Sequence, residues 1–175
     1  MKNLTLFRHA KSSWGDPGLA DHERPLNNRG EQDAPRMARR LVERKERPSL
    51  ILTSTAVRAR TTARLIADTM GYPREFLQSD RALYHADPEQ ILAVLAQQDD
   101  AFANIILVGH NPGLTELANQ LIPDCHIDNV PTAGVVAMEL DIDHWAQAGD
   151  EPARLRFFDY PKNRLPTEVP PDAQS

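Results

Sequence analysis

Short apolar runs alternate along the chain with longer stretches in which apolar residues recur every three or four positions. The first run, Leu4-Thr5-Leu6-Phe7, reads as a buried strand and gives way at once to Arg8-His9-Ala10-Lys11. From Ser12 to Asn27 the breakers Gly15, Pro17, Gly18 and Pro25 interrupt any period, so this stretch is a loop. Asn27 suits the N-cap of a helix reaching Lys45, with Met37 and Leu41 on its apolar face. Within it, Pro35 either delays the start to Asp33 or kinks the helix.

Leu50-Ile51-Leu52-Thr53 is a second buried strand, and Ser54-Thr55 is expected to open the next helix. Val57, Leu65, Ile66 and Met70 carry the helical spacing, and Gly71 stands where a left-handed C-terminal residue belongs. A short strand is expected over Glu75–Gln78. Asp87-Pro88 is a cap followed by a first-turn proline, opening a helix with Ile91, Leu92, Val94 and Leu95. Asn104-Ile105-Ile106-Leu107-Val108 is the clearest buried strand, followed by Gly109-His110-Asn111-Pro112-Gly113 and a helix to Leu121. Two later strands, Gly134–Leu140 and Arg154–Phe158, read as antiparallel, and the chain after Pro161 is proline-rich.

Strand–helix alternation with near-continuous apolar strands implies an α/β fold: a mostly parallel sheet covered on both faces, with antiparallel C-terminal strands. One domain is expected over residues 1–161, with 162–175 as a C-terminal tail. Right-handed crossovers bring the C-terminal ends of the parallel strands to one edge. Arg8-His9, Arg58 and His110 all follow strand ends, so this rule gathers them in one crevice.

The bulk numbers narrow the partners. At 41% hydrophobic and 26% charged, the chain is ordinary globular material and not a disordered sequence. A net charge of −5 argues against general nucleic-acid binding, and makes a local cluster of arginines informative. Cys125 is the single cysteine, which favours a reducing compartment. No apolar run approaches the roughly 18 residues of a membrane span, and Leu4–Phe7 is too short for the core of a signal peptide. A cytoplasmic protein without a membrane or nucleic-acid partner is the expectation, its oligomeric state left open.

Two guanidinium groups and two imidazoles around one pocket suit a phosphate. Arginine offers a fixed fork matched to phosphate oxygens, and helix N-termini after Thr53 and Gly109 would add backbone donors. Neighbouring positive charges keep His9 neutral and able to attack phosphorus, while His110 stabilises charge on the transferring oxygens. Arginine and histidine supply the electrostatics, so the scheme requires no metal or cofactor.

These residues also carry a resemblance. Leu6-Phe7-Arg8-His9-Ala10-Lys11 resembles the Arg-His-Gly signature of the histidine phosphatase superfamily, in the Arg-His-Ala-Lys form of small members akin to the SixA phosphohistidine phosphatase. Arg24-Pro25-Leu26-Asn27 with Gly30, the segment Thr53 to Thr62, and Val108-Gly109-His110-Asn111-Pro112 are similar to three further family segments, in the same order. The resemblance spans residues 4 to about 140. It implies a three-layer α/β/α fold like that of phosphoglycerate mutase. It also implies that His9 is the phosphorylated nucleophile, that Arg8 and Arg58 bind phosphate, and that His110 completes the pocket.

Two departures stand out. Ala10 replaces the signature glycine, which a negative φ would allow. Larger members carry a glutamate as general acid before the third helix, but Asp80 to Asp87 holds none. Tyr84, His85, Asp87 or Asp21 could donate a proton instead. A leaving imidazole needs less help than an alkoxide, which leans the reading toward phosphohistidine on a protein substrate. The alternatives are a small phosphoester substrate, as in a phosphomonoesterase or mutase, and a non-catalytic phosphate-binding adaptor.

Lys11 and Ser12 are placed equally well to touch phosphate or to serve the loop surface. Trp14 either lines the mouth or pins the loop. Thr132-Ala133-Gly134 either offers a backbone N–H to the site or is an ordinary turn. His22, His126 and His144 read as structural or exposed, and Arg60 and Arg64 as ion-paired or solvated.

Overall fold

A computed structural model describes residues 1–163; the proline-rich tail anticipated from sequence lies almost wholly outside them. Six strands form one sheet in the order β3-β2-β4-β1-β5-β6: β1 (Lys2–Arg8), β2 (Leu50–Thr53), β3 (Gln78–Ser79), β4 (Asn104–Gly109), β5 (Val135–Leu140) and β6 (Arg154–Asp159). β1 to β4 pair in parallel. β5 runs antiparallel to β1, and β6 antiparallel to β5.

Residues alternate between the two faces of the strands, and each face has its own core. Leu4, Leu6, Leu50, Leu52, Ile105 and Leu107 pack with α3 (Pro88–Ala96) and α4 (Gly113–Leu121). Phe7, Ile51, Ile106 and Val108 pack with α1 (Asn28–Glu43) and α2 (Val57–Met70). The three-layer architecture expected from the strand–helix alternation is therefore present.

The local signals held where a side chain or backbone requirement was explicit. Asn27 accepts from the Gly30 N–H as the cap of α1, Gly71 closes α2 at φ 72°, and Asp87 forms a reciprocal capping box with Gln90. Other expectations need correction. Pro35 does not delay α1 to Asp33; the helix starts at Asn28 and runs through it, ending at Glu43 rather than Lys45. Ser54-Thr55 does not open α2, whose first residue is Val57 after an Ala56 that offers no side-chain cap. Glu75 lies in a 3-10 turn, Arg74–Phe76, and the short edge strand begins only at Gln78.

Two glycines let helix ends approach other backbone closely. A Cβ on Gly30 would lie 2.2 Å from the Lys11 carbonyl oxygen, and one on Gly113 only 1.9 Å from that of Ala86. Both contacts anchor segments that border the cleft described next.

Candidate active site

Strand register builds the centre. In the β1–β4 ladder Arg8 pairs with Gly109, so His9 and His110 follow side by side as the strands end. The His9 N–H continues the ladder by donating to the Gly109 carbonyl at 3.0 Å, and the two rings lie 5.1 Å apart. β2 pairs with β4 up to Thr53–Val108, which sets Ser54 beside them. The Ser54 hydroxyl lies 2.7 Å from His110 Nε2 and accepts from the Ala56 N–H.

The backbone fixes the state of His9. Its Nδ1 lies 2.8 Å from the Ala10 carbonyl oxygen, which can only accept, so Nδ1 carries the proton and Nε2 the lone pair. Burial, with Arg58, Arg8 and Arg24 adding to it, pushes the His9 pKa down to about 4. Burial, then His9, Arg58 and His85, pushes His110 down to about 2. Both imidazoles are neutral at pH 7. Ala10 is absent from the residues of positive φ, is fully buried, and donates its N–H to Thr62 Oγ1 at 3.0 Å. The condition set by its replacement of glycine is met.

Arg8 donates from Nη1 to the Val130 carbonyl at 2.9 Å. Arg58, in the first turn of α2, is almost fully buried and donates to the Asp21 carbonyl at 2.7 Å and to Asp21 Oδ2 at 3.0 Å. Asp21 comes from the breaker-rich loop. Its carboxylate also accepts from the Tyr84 hydroxyl, lies 3.1 Å from His85 Nε2 and 3.2 Å from Arg24 Nε. The Tyr84 bond foremost, then Arg58 and His85, holds the Asp21 carboxyl far below the usual carboxylate range. Burial and the Asp21 carboxylate raise Tyr84.

Arg8, His9, Asp21, Arg58, His85 and His110 line a cleft of about 320 Å³, with Lys11, Trp14 and Arg24 also on its wall. All four residues expected at its centre meet there: Arg8, His9, Arg58 and His110. Among the suggested proton donors, Asp21, Tyr84 and His85 gather at the mouth. Asp87 does not join them, because its carboxylate caps α3. The Ala133 N–H donates to the Arg8 and His9 carbonyls, so it braces the β1 end and is not turned toward a ligand.

Sequence reasoning missed Ser54 as the partner of His110, and it missed Arg24. Arg24 is buried, donates to the Ser12 hydroxyl at 2.8 Å, and carries the Trp14 indole on its guanidinium at 3.6 Å. A signal for Arg24 was present: an arginine beside a proline in an otherwise glycine- and proline-broken loop.

A sheet whose parallel strand ends deliver two neutral histidines and buried arginines to one cleft suits a phosphoryl-transfer enzyme. The comparisons specify which. Residues 4–83 match the model of the histidine phosphatase superfamily (branch 1). An uncharacterized protein of Mycobacterium tuberculosis is 30% identical over 165 residues, covering 89% of this chain and all of that protein. An uncharacterized chloroplastic protein of Arabidopsis thaliana is 34% identical over 128 residues; the match takes in 69% of this chain and 59% of that longer protein. A crystal structure assigned to the phosphohistidine phosphatase SixA of Agrobacterium tumefaciens superposes with a TM-score of 0.78 at 28% identity, covering 91% of this chain and 98% of that one. The chain belongs to the histidine phosphatase superfamily and is a phosphatase, taking a phosphorylated substrate and releasing phosphate.

Proposed function

We propose that the chain hydrolyses phosphohistidine on a protein, without a metal, through a phosphohistidine intermediate on His9. One observation carries the phosphate reading. Among the described residues six buried side-chain atoms lack a hydrogen-bond partner, and three of them are Arg8 Nε, Arg58 Nε and His110 Nδ1. Buried nitrogens are rarely left so, and these three belong to side chains that line the cleft, where two guanidinium groups and an imidazole meet a phosphate-sized oxyanion.

His9 Nε2 attacks phosphorus with its lone pair. Arg8, Arg58 and His110 hold the non-bridging oxygens, and Lys11 lies on the cleft wall where it adds positive charge. The bond from phosphorus to the leaving nitrogen breaks, and the leaving imidazole departs neutral because its second nitrogen is already protonated. Water then attacks phospho-His9, releasing phosphate and restoring the neutral ring.

The mouth supports a P–N substrate. An ionised Asp21 cannot donate a proton to an alkoxide, but it can accept a hydrogen bond from the N–H of the phosphorylated imidazolium, which then leaves as neutral imidazole. Tyr84 already donates its hydroxyl hydrogen bond to Asp21, and its raised pKa holds that proton in place. His85 is the remaining proton carrier for any leaving group that needs one. The rim is exposed, with Trp14 78% accessible, which suits a phosphoryl group presented on another protein's surface. We read residues 1–161 as one catalytic domain of a cytoplasmic protein.

The test is release of phosphate from a histidine-phosphorylated protein, a phosphohistidine peptide and p-nitrophenyl phosphate, each with and without EDTA, by the parent and His9→Ala. Release that survives EDTA, prefers the P–N substrates and vanishes in the variant supports the reading. Equal activity in the variant would sink it.

A further inference from the structure

A second cleft, of about 180 Å³, lies on the same edge of the sheet, lined by Thr53, Arg60, Arg64, Arg74, Leu77 and Ser79. Thr53 and Ser79 are paired ends of β2 and β3. The residue after Thr53 is Ser54, the partner of His110. Thr53 on the wall of this cleft is thus the sequence neighbour of the residue that holds a catalytic imidazole.

Its arginines are not alike. Arg74 grips the Asp68 carboxylate through Nε at 2.8 Å and Nη2 at 2.6 Å. Arg60 and Arg64 stand one turn apart on α2. Neither side chain has a hydrogen bond or ion pair among the described residues, and Arg60 Nε is shielded from water without a partner. Of the two alternatives expected for them, ion-paired or solvated, the ion-paired one is not met, and Arg64 is exposed. Two ungripped guanidinium groups in one cleft of a chain with net charge −5 form a local site for an anion.

We propose that this arginine cleft docks a carboxylate side chain of the phosphorylated protein whose phosphoryl group occupies the catalytic cleft. The inference rests on the protein-substrate reading above. The guanidinium fork matches a carboxylate, and Arg74 on the cleft wall already makes that pairing with Asp68. Arg58 of the catalytic cleft and Arg60 and Arg64 of this one stand on the same helix, so the ligand that fills both is a surface presenting the phosphoryl group and the acid at a fixed separation.

The double variant Arg60→Gln, Arg64→Gln tests this by two readouts. In calorimetric titration at low salt, an unphosphorylated Asp- and Glu-rich peptide binds the parent about tenfold more tightly than the variant. In kinetics on a histidine-phosphorylated acidic protein, KM rises by a similar factor with kcat unchanged, while turnover of phosphoramidate, which has no second acid, stays at the parent's level. Equal binding and equal KM would overturn the proposal, and so would a matching loss on phosphoramidate. The peptide titration needs no turnover, so a parent that hydrolyses no phosphohistidine would count against the preceding reading while binding still decides this one.

Discussion

Arg58 Nη2 lies 3.0 Å from Asp21 Oδ2, across a separation of 37 residues. The contact joins a guanidinium from the start of α2 to a carboxylate from the loop after β1, and Tyr84 and His85 close on the same oxygen. Asp21 thus brings the leaving-group side of the cleft to the phosphate side, and it does so ionised.

Replacing that carboxylate separates the two substrate classes. In Asp21→Asn the acceptor for the phosphorylated imidazolium is weakened, and Arg58 loses its charged partner. Turnover of phosphohistidine peptide is expected to fall about 10²-fold, and that of p-nitrophenyl phosphate to fall far less. The ratio of kcat/KM values on the two substrates is the readout, because a merely loosened Arg58 would lower both together.

The pH profile follows from burial of His9. Its pKa is pushed down to about 4, so the nucleophile is neutral throughout the ordinary range. kcat/KM on a phosphohistidine peptide should hold level from neutrality to roughly pH 5, then fall as pH drops through about 4. The same shift acts on stability. The unfolded chain takes up this proton below its ordinary 6.5, the folded one only near 4. Stability from this group is therefore complete above 6.5 and is lost as pH falls from 6.5 to about 4. Urea midpoints across that window should slope less steeply for His9→Gln than for the parent.

Gly113 is required by close backbone packing. A Cβ there would meet the Ala86 carbonyl oxygen at 1.9 Å, so α4 or the segment carrying His85 must move. Gly113→Ala should lose about 1–3 kcal/mol of stability and lower kcat/KM, measured by denaturant unfolding and steady-state kinetics.

Far from the cleft, Arg40 of α1 and Asp159 of β6 form a buried pair at 3.0 Å, and Arg40 also donates to the Tyr160 carbonyl. Arg40→Ala leaves the Asp159 carboxylate buried without that charge, which costs about 3–5 kcal/mol. Denaturant midpoints should drop, while kcat of the folded fraction is unchanged.

What could be read from the chain was what depends on neighbours in sequence or on strand ends. Leu50–Thr53, the Asn27 cap and Gly71 each follow from local chemistry, and the crossover rule was enough to bring Arg8, His9, Arg58 and His110 together. What escaped depends on contacts between distant segments. Ser54 meets His110 only through the β2–β4 register, and Asp21 is held beside the site as an acceptor only because Tyr84, His85 and Arg58 converge on it. Asp87 was legible as a helix cap, and that same cap takes its carboxylate out of the running as a proton donor. Arg60 and Arg64 looked like ordinary helix arginines because sequence does not show whether an acid lies opposite.

The central claim is that His9 itself carries the phosphoryl group. Quenching the enzyme in alkali during turnover of phosphoramidate, followed by peptide mass spectrometry, tests it directly. The account predicts a phosphate on the His9 peptide that survives alkali, is lost in acid, and is absent from His9→Ala, which also turns over no substrate. Turnover with no phosphate on His9, or undiminished turnover by His9→Ala, would contradict it.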